Sequence, residues 1–250
     1  MGRGRKSWLM PKKSSKQGGI PLDSHDGPHP LDNPRMSRNR SGGGVIFIHI
    51  CKCGGTSINT ALGKNKLKRY VPEDKMWVGA EWEKKYRALI HTKGHFTALA
   101  AKRDLGDQVF QEKFKFTFVR NPWDRLVSAF VYGIRNLSFK GWLIKGIDDL
   151  HYDGRYKSKL HNIHRLNCLD WITDEKGEII VDFIGSFENF REDFGIVCDN
   201  LGIPRQRLPH MNSSRHAHYS KYYDDETRQI VAEKYAKDIE YFGYEFNKST

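Results

Sequence analysis

The apolar positions of this chain change period as they run. Val45–Ile50 reads as a continuous apolar strand, the pattern of a strand buried on both faces. It runs into Cys51-Lys-Cys-Gly-Gly-Thr-Ser57, and a helix is expected around Ser57–Leu62. Phe114–Val119 carries Phe on alternate positions and predicts a second strand. After it, Asn121 is placed as an N-cap, Pro122 as the first helical residue and Asp124 in the first turn. Leu126, Val127, Phe130 and Val131 then keep a helical period.

Further on, Glu178–Ile184 reads as a strand, and Phe190, Phe194, Val197, Cys198 and Leu201 recur at helical spacing until Gly202 and Pro204. A last helix is expected from Asp224-Asp225, with Ile230, Val231, Tyr235 and Ile239 facing inward. Alternating β and α elements predict an α/β fold with a mainly parallel central sheet covered by helices on both faces. In such sheets ligands bind at the carboxyl ends of the strands.

Residues 1–44 lack this periodicity. They are rich in Gly, Pro and Ser, hold one aromatic residue, Trp8, and read as a disordered basic arm, with residues 45–250 as one domain. Of the formal charge of +12, the arm supplies nine Lys/Arg against three Asp, leaving 33 basic and 27 acidic residues in the domain. The folded part is therefore only mildly cationic, which suits an anionic ligand without demanding nucleic acid. Four cysteines, Cys51, Cys53, Cys168 and Cys198, do not make a disulfide scaffold. No apolar run approaches the roughly 20 residues of a membrane span. The start, Met1-Gly-Arg-Gly-Arg-Lys6, lacks a signal-peptide core, and Lys6 breaks the myristoylation pattern. The expectation is a soluble cytoplasmic protein.

Candidate chemistry sits where the two strands end. At the first, Gly54 and Gly55 let backbone N–H groups turn toward an anion, Lys52 adds a point charge, and Thr56 and Ser57 offer hydroxyls. The Walker pattern is absent, so this is not an ordinary P-loop. At the second, Arg120 closes its strand and Ser128 lies about two turns into the next helix, an arrangement able to hold a phosphate from two sides. Arg125 either assists there or forms an exposed ion pair. Alone, Arg120 reads equally well as a structural salt bridge.

These residues also carry a resemblance. The chain resembles the Golgi-type and bacterial carbohydrate sulfotransferases, the group that includes the heparan sulfate 2-O-sulfotransferases. Their first motif, Ile-Pro-Lys-Thr-Gly-Gly-Thr-Ser, corresponds to Ile50-Cys-Lys-Cys-Gly-Gly-Thr-Ser57, and their second, Phe-Val-Arg-Asn-Pro-Trp-Asp-Arg-Leu-Val-Ser, to Phe118–Ser128. Similarity continues through Asp182–Asn189, Leu208–Asn212 and His218–Tyr223.

The resemblance implies a P-loop-like sulfotransferase fold. It also implies transfer of a sulfuryl group from 3′-phosphoadenosine-5′-phosphosulfate (PAPS) to a carbohydrate hydroxyl, without a metal. Lys52, Gly54, Gly55, Thr56 and Ser57 would hold the 5′-phosphosulfate, and Arg120 and Ser128 the 3′-phosphate. Lys52 would also stabilise the charge that builds as the nucleotide leaves. His95, in Lys93-Gly-His-Phe-Thr97, would take the acceptor's proton. The His and aromatic residues of 142–171 suit a hydroxylated sugar, neutral or anionic.

The chain departs from the motifs at Cys51 and Cys53 for Pro and Thr, at Asn167 and Cys168 for Pro and Gln, and at Ser186 for Arg. These changes bear on substrate and adenosine contacts more than on the phosphate sites. Lys52 and a nearby helix start predict thiolate character at Cys51 and Cys53, whereas a metal on His49, Cys51 and Cys53 lacks a second ligand pair. A kinase is disfavoured by the missing Walker lysine pattern. The alternative from another class is a polyanion- or nucleic-acid-binding protein on a degenerate sulfotransferase fold, driven by the arm.

Overall fold

A computed structural model describes residues 44–62, 76–77, 95–133, 137–144, 166–209 and 217–247. The arm up to residue 43, Gly94, His164, most of 142–171 and His210–Asn212 lie outside the described residues.

Strands β1 (Val45–Ile48), β2 (Met76–Trp77), β3 (Phe114–Val119) and β4 (Phe183–Ser186) form one sheet in the order β2-β1-β3-β4. Every pairing is parallel, with Val45 opposite Met76 and Phe114, and Phe116 opposite Phe183. Every residue of β1, β3 and β4 is buried, so both faces of the sheet are covered. Phe114, Phe116 and Phe118 stack along one face of β3, each worth about 1.5–3 kcal/mol of apolar burial. On the opposite face Lys115 is buried too, and its ammonium reaches Asp182 at 2.7 Å.

The covering helices are α1 (Gly55–Ala61), α2 (Ala98–Leu105), α3 (Asp107–Glu112), α4 (Pro122–Gly133), α5 (Phe139–Ile144), α6 (Cys168–Ile172), α7 (Phe190–Asn200), α8 (Asp225–Lys234) and α9 (Ala236–Phe242). The start of α4 is capped as its sequence predicts. The Asn121 side-chain oxygen accepts from the Trp123 N–H at 3.1 Å, and Pro122 opens the helix. The apolar side of α4 (Trp123, Leu126 and Val127) packs with Phe139 and Trp142 of α5 and with Val231 and Tyr235 in a second core beside the sheet. Among the described residues, no helix is long and apolar enough to cross a membrane.

Two expectations need correction. The strand anticipated at Glu178–Ile184 begins only at Phe183. Gly177, at φ 81°, turns the chain so that Ile180 N–H bonds to Ile172 O at 2.9 Å and Thr173 bridges Ile179 antiparallel. These residues therefore close a small hairpin instead of joining the sheet. The single C-terminal helix is two. Its chain breaks at Tyr235 (φ −108°, ψ 26°), and the break lets Asp238, fully buried, accept from the N–H groups of Cys168 and Leu169 at 2.6 and 3.0 Å. A carboxylate buried in this way needs those donors, and the sequence period does not record them.

Candidate active site

β1 and β3 lie side by side, so the loops leaving their carboxyl ends converge. The decisive contact is between them: Arg120 Nη1 donates to the Lys52 carbonyl oxygen at 3.0 Å, across 68 positions of sequence. The two motifs form one place on the molecule.

The first loop is shaped by backbone. Lys52 stands at φ 66°, a left-handed conformation rare for a residue with a side chain, and Gly54 at φ 82° caps α1. Two rings press on the glycines. A Cβ at Gly54 would come within 2.5 Å of Phe190, and one at Gly55 within 2.0 Å of the His49 ring. The Lys52 ammonium lies 3.8 Å from the centroid of the Tyr132 ring. Among the described residues it makes no ion pair with a carboxylate. Burial pulls its pKa below the ordinary lysine value, and the Arg120 charge adds to that. Thr56 is exposed and Ser57 is buried at the start of α1.

The second corner is shaped by side chains. Arg120 donates from Nε and Nη2 to Oδ2 of Asp124, both at 2.8 Å, one helical turn on. Its guanidinium also stacks over Phe187 at 4.0 Å. Ser128 is buried one further turn along α4, and Tyr132 follows at the same spacing, so Asp124, Ser128 and Tyr132 share a face of the helix. Glu188 ties the corner to β4: it accepts from the Asn121 N–H at 2.7 Å and from the Ser186 hydroxyl. Ser186 is thus part of the corner's scaffold.

His95 reaches the loop through His49. Its Nδ1 is 2.8 Å from the His49 carbonyl oxygen, and the two rings lie 4.2 Å apart at 44°. Burial drives the His49 pKa well below its ordinary value, and the His95 and Lys52 charges push the same way. The sequence singles out His49 only as a possible metal ligand. Its signal was a polar residue at the end of an apolar strand, immediately before a glycine loop.

Arg125 does neither of the things expected of it. It is fully buried, donating to Leu166 O at 2.7 Å and to Cys168 Sγ at 2.8 Å, with Asp238 at 3.7 Å and the Tyr235 ring beneath it. It joins α4 to α6 and α9. The expectation of reactive thiolates is also corrected. Burial raises the Cys51 pKa to about 12, outweighing the opposite pull of Lys52 and Arg125. Cys53 is 1% exposed and hydrogen-bonds through Sγ to Cys51 O. Desolvation defeats the charge effect at Cys51, and burial shields both sulfurs from a reagent.

The model of the sulfotransferase family matches residues 40–245, which include both loops, the histidine pair and the helices that fix them. The chain belongs to the sulfotransferase family. This sulfotransferase is also similar to an uncharacterized protein of Archaeoglobus fulgidus, 30% identical over 124 residues, 47% of this chain and 91% of that protein. A sulfotransferase requires a sulfuryl donor and an acceptor. Among the described residues, Lys52 and Arg120 bring their charges to the loops that follow β1 and β3.

Proposed function

We propose that this sulfotransferase takes its sulfuryl group from PAPS and passes it to a hydroxyl of a carbohydrate acceptor. The observation that carries the reading is the Arg120–Lys52 hydrogen bond at 3.0 Å, which makes one site of two cationic corners. A nucleotide with anionic groups at both its 3′ and 5′ positions can use both corners at once. The Lys52 ammonium, which makes no ion pair with a carboxylate among the described residues, and the glycine backbone at 54 and 55 fit such a ligand.

When bound, the donor supplies an activated sulfuryl group and a nucleotide leaving group. Lys52, with the backbone of Gly54 and Gly55 and the hydroxyls of Thr56 and Ser57, holds the 5′ end and offsets the negative charge that grows there. Arg120, already aimed by Asp124 and Phe187, holds the 3′-phosphate together with Ser128. His95 takes the proton of the acceptor hydroxyl. The burial around Lys52 strengthens its field by excluding water.

The test is transfer of labelled sulfate from PAPS to a panel of neutral and acidic oligosaccharides. Labelled sugar in the wild type, reduced about a hundredfold or more in His95→Gln with bisphosphate binding retained, supports the reading. Transfer to no acceptor by a protein that binds the bisphosphate would contradict the carbohydrate assignment.

A further inference from the structure

The candidate base has an unusual neighbour. His95 Nδ1 is 2.8 Å from a main-chain carbonyl, that of His49. A carbonyl oxygen only accepts, so in the neutral imidazole the proton must sit on Nδ1; the other tautomer would set lone pair against lone pair. Nε2 is then the unprotonated ring nitrogen, the atom able to receive a proton.

The His49 side chain completes the arrangement. Its ring lies 4.2 Å from that of His95, stacks on Phe47 at 5.5 Å and 17°, and occupies the space where Gly55 would carry a Cβ. It therefore fills the gap between the base and the glycine loop. The titratable groups facing it are His95 and Lys52, and burial keeps it neutral. A neutral ring there places no positive charge beside His95 at the moment His95 gains one.

We infer that His49 is the positioning residue for His95: its carbonyl fixes the tautomer that leaves Nε2 as the base, and its ring spaces that base from the Gly54–Gly55 loop. The inference rests on the proposed role of His95, and it assigns His49 no contact with either substrate.

The experiment uses the full chain labelled with 15N-histidine. Long-range 1H–15N spectra of the wild type, assigned with His95→Gln, report the tautomer directly and need no activity. The expected result is His95 protonated at Nδ1. His49→Ala keeps the main-chain carbonyl and removes only the spacing ring, so the Nδ1–H tautomer of His95 is expected to persist while kcat falls at least about tenfold and the affinity for 3′,5′-bisphosphoadenosine changes less than about threefold. An Nε2–H tautomer in the wild type would overturn the role of the carbonyl. An alanine variant with unaltered kcat would overturn the role of the ring. If His95→Gln instead keeps full activity, the base assignment fails, while the tautomer result still decides what His49 does to His95.

Discussion

The two cationic corners of the candidate site are built by opposite means. The Lys52 loop is made by backbone: positive φ at Lys52 and Gly54, two glycines wedged under aromatic and imidazole rings, and an ammonium whose neighbour is the Tyr132 ring. The Arg120 corner is made by side chains: its guanidinium is already satisfied by Asp124, Phe187 and the Lys52 carbonyl. One corner holds its charge in reserve, and the other holds it in place. Backbone geometry tolerates no added atom, whereas a prearranged ion pair tolerates loss of one partner better than loss of the cation.

Gly55→Ala breaks this contrast most severely. The new methyl would fall 2.0 Å from the His49 ring, so the loop or the ring must shift. Bisphosphate affinity should drop by more than about a hundredfold and stability by about 1–3 kcal/mol, read by calorimetric titration and denaturant unfolding. Lys52→Met should lower kcat by about a hundredfold or more while leaving the fold intact or slightly more stable, because the removed charge is half-buried and meets no carboxylate among the described residues. Asp124→Asn tests the other corner. Freed of its counter-charge, Arg120 should bind the bisphosphate within about tenfold of the wild type, at a stability loss of about 1 kcal/mol.

The smallest effect concerns His49. Its folded pKa lies well below the unfolded value of 6.5, so below pH 6.5 the unfolded chain binds a proton that the fold refuses. Stability from this group is complete above that pH and declines as pH falls toward the folded value, by at most about 1.4 kcal/mol per pH unit. His49→Ala should flatten the acid side of the stability curve by that slope. An unchanged slope would show that His49 titrates normally.

What the sequence made legible was local. Phe alternation marked β3, the apolar run marked β1, and Asn121-Pro122 marked the start of α4, because period and capping depend on neighbours in the chain. Lys52, Gly54, Gly55 and Arg120 could be picked out because glycine and cation side by side after a strand have a mechanical reading. What stayed hidden depends on residues far apart. Nothing near Arg125 announces Cys168, Leu166 and Asp238, which turn an apparent surface arginine into a buried brace. Cys51 beside Lys52 suggests a thiolate until its burial is known. The pairing of His49 with His95 spans 46 positions and is visible only once β1 is seen to deliver the loop to it.

The proposed function requires that Lys52 and Arg120 form one site for a nucleotide with anionic groups at both ends. Calorimetric titration with 3′,5′-bisphosphoadenosine beside 5′-AMP, on the wild type and on Arg120→Ala, tests it most directly. Tight binding of the bisphosphate is expected, with 5′-AMP weaker by about a hundredfold and that difference lost in Arg120→Ala, in keeping with a charge-assisted phosphate contact of about 1.5–3 kcal/mol. Equal weak binding of both nucleotides by the wild type would contradict it.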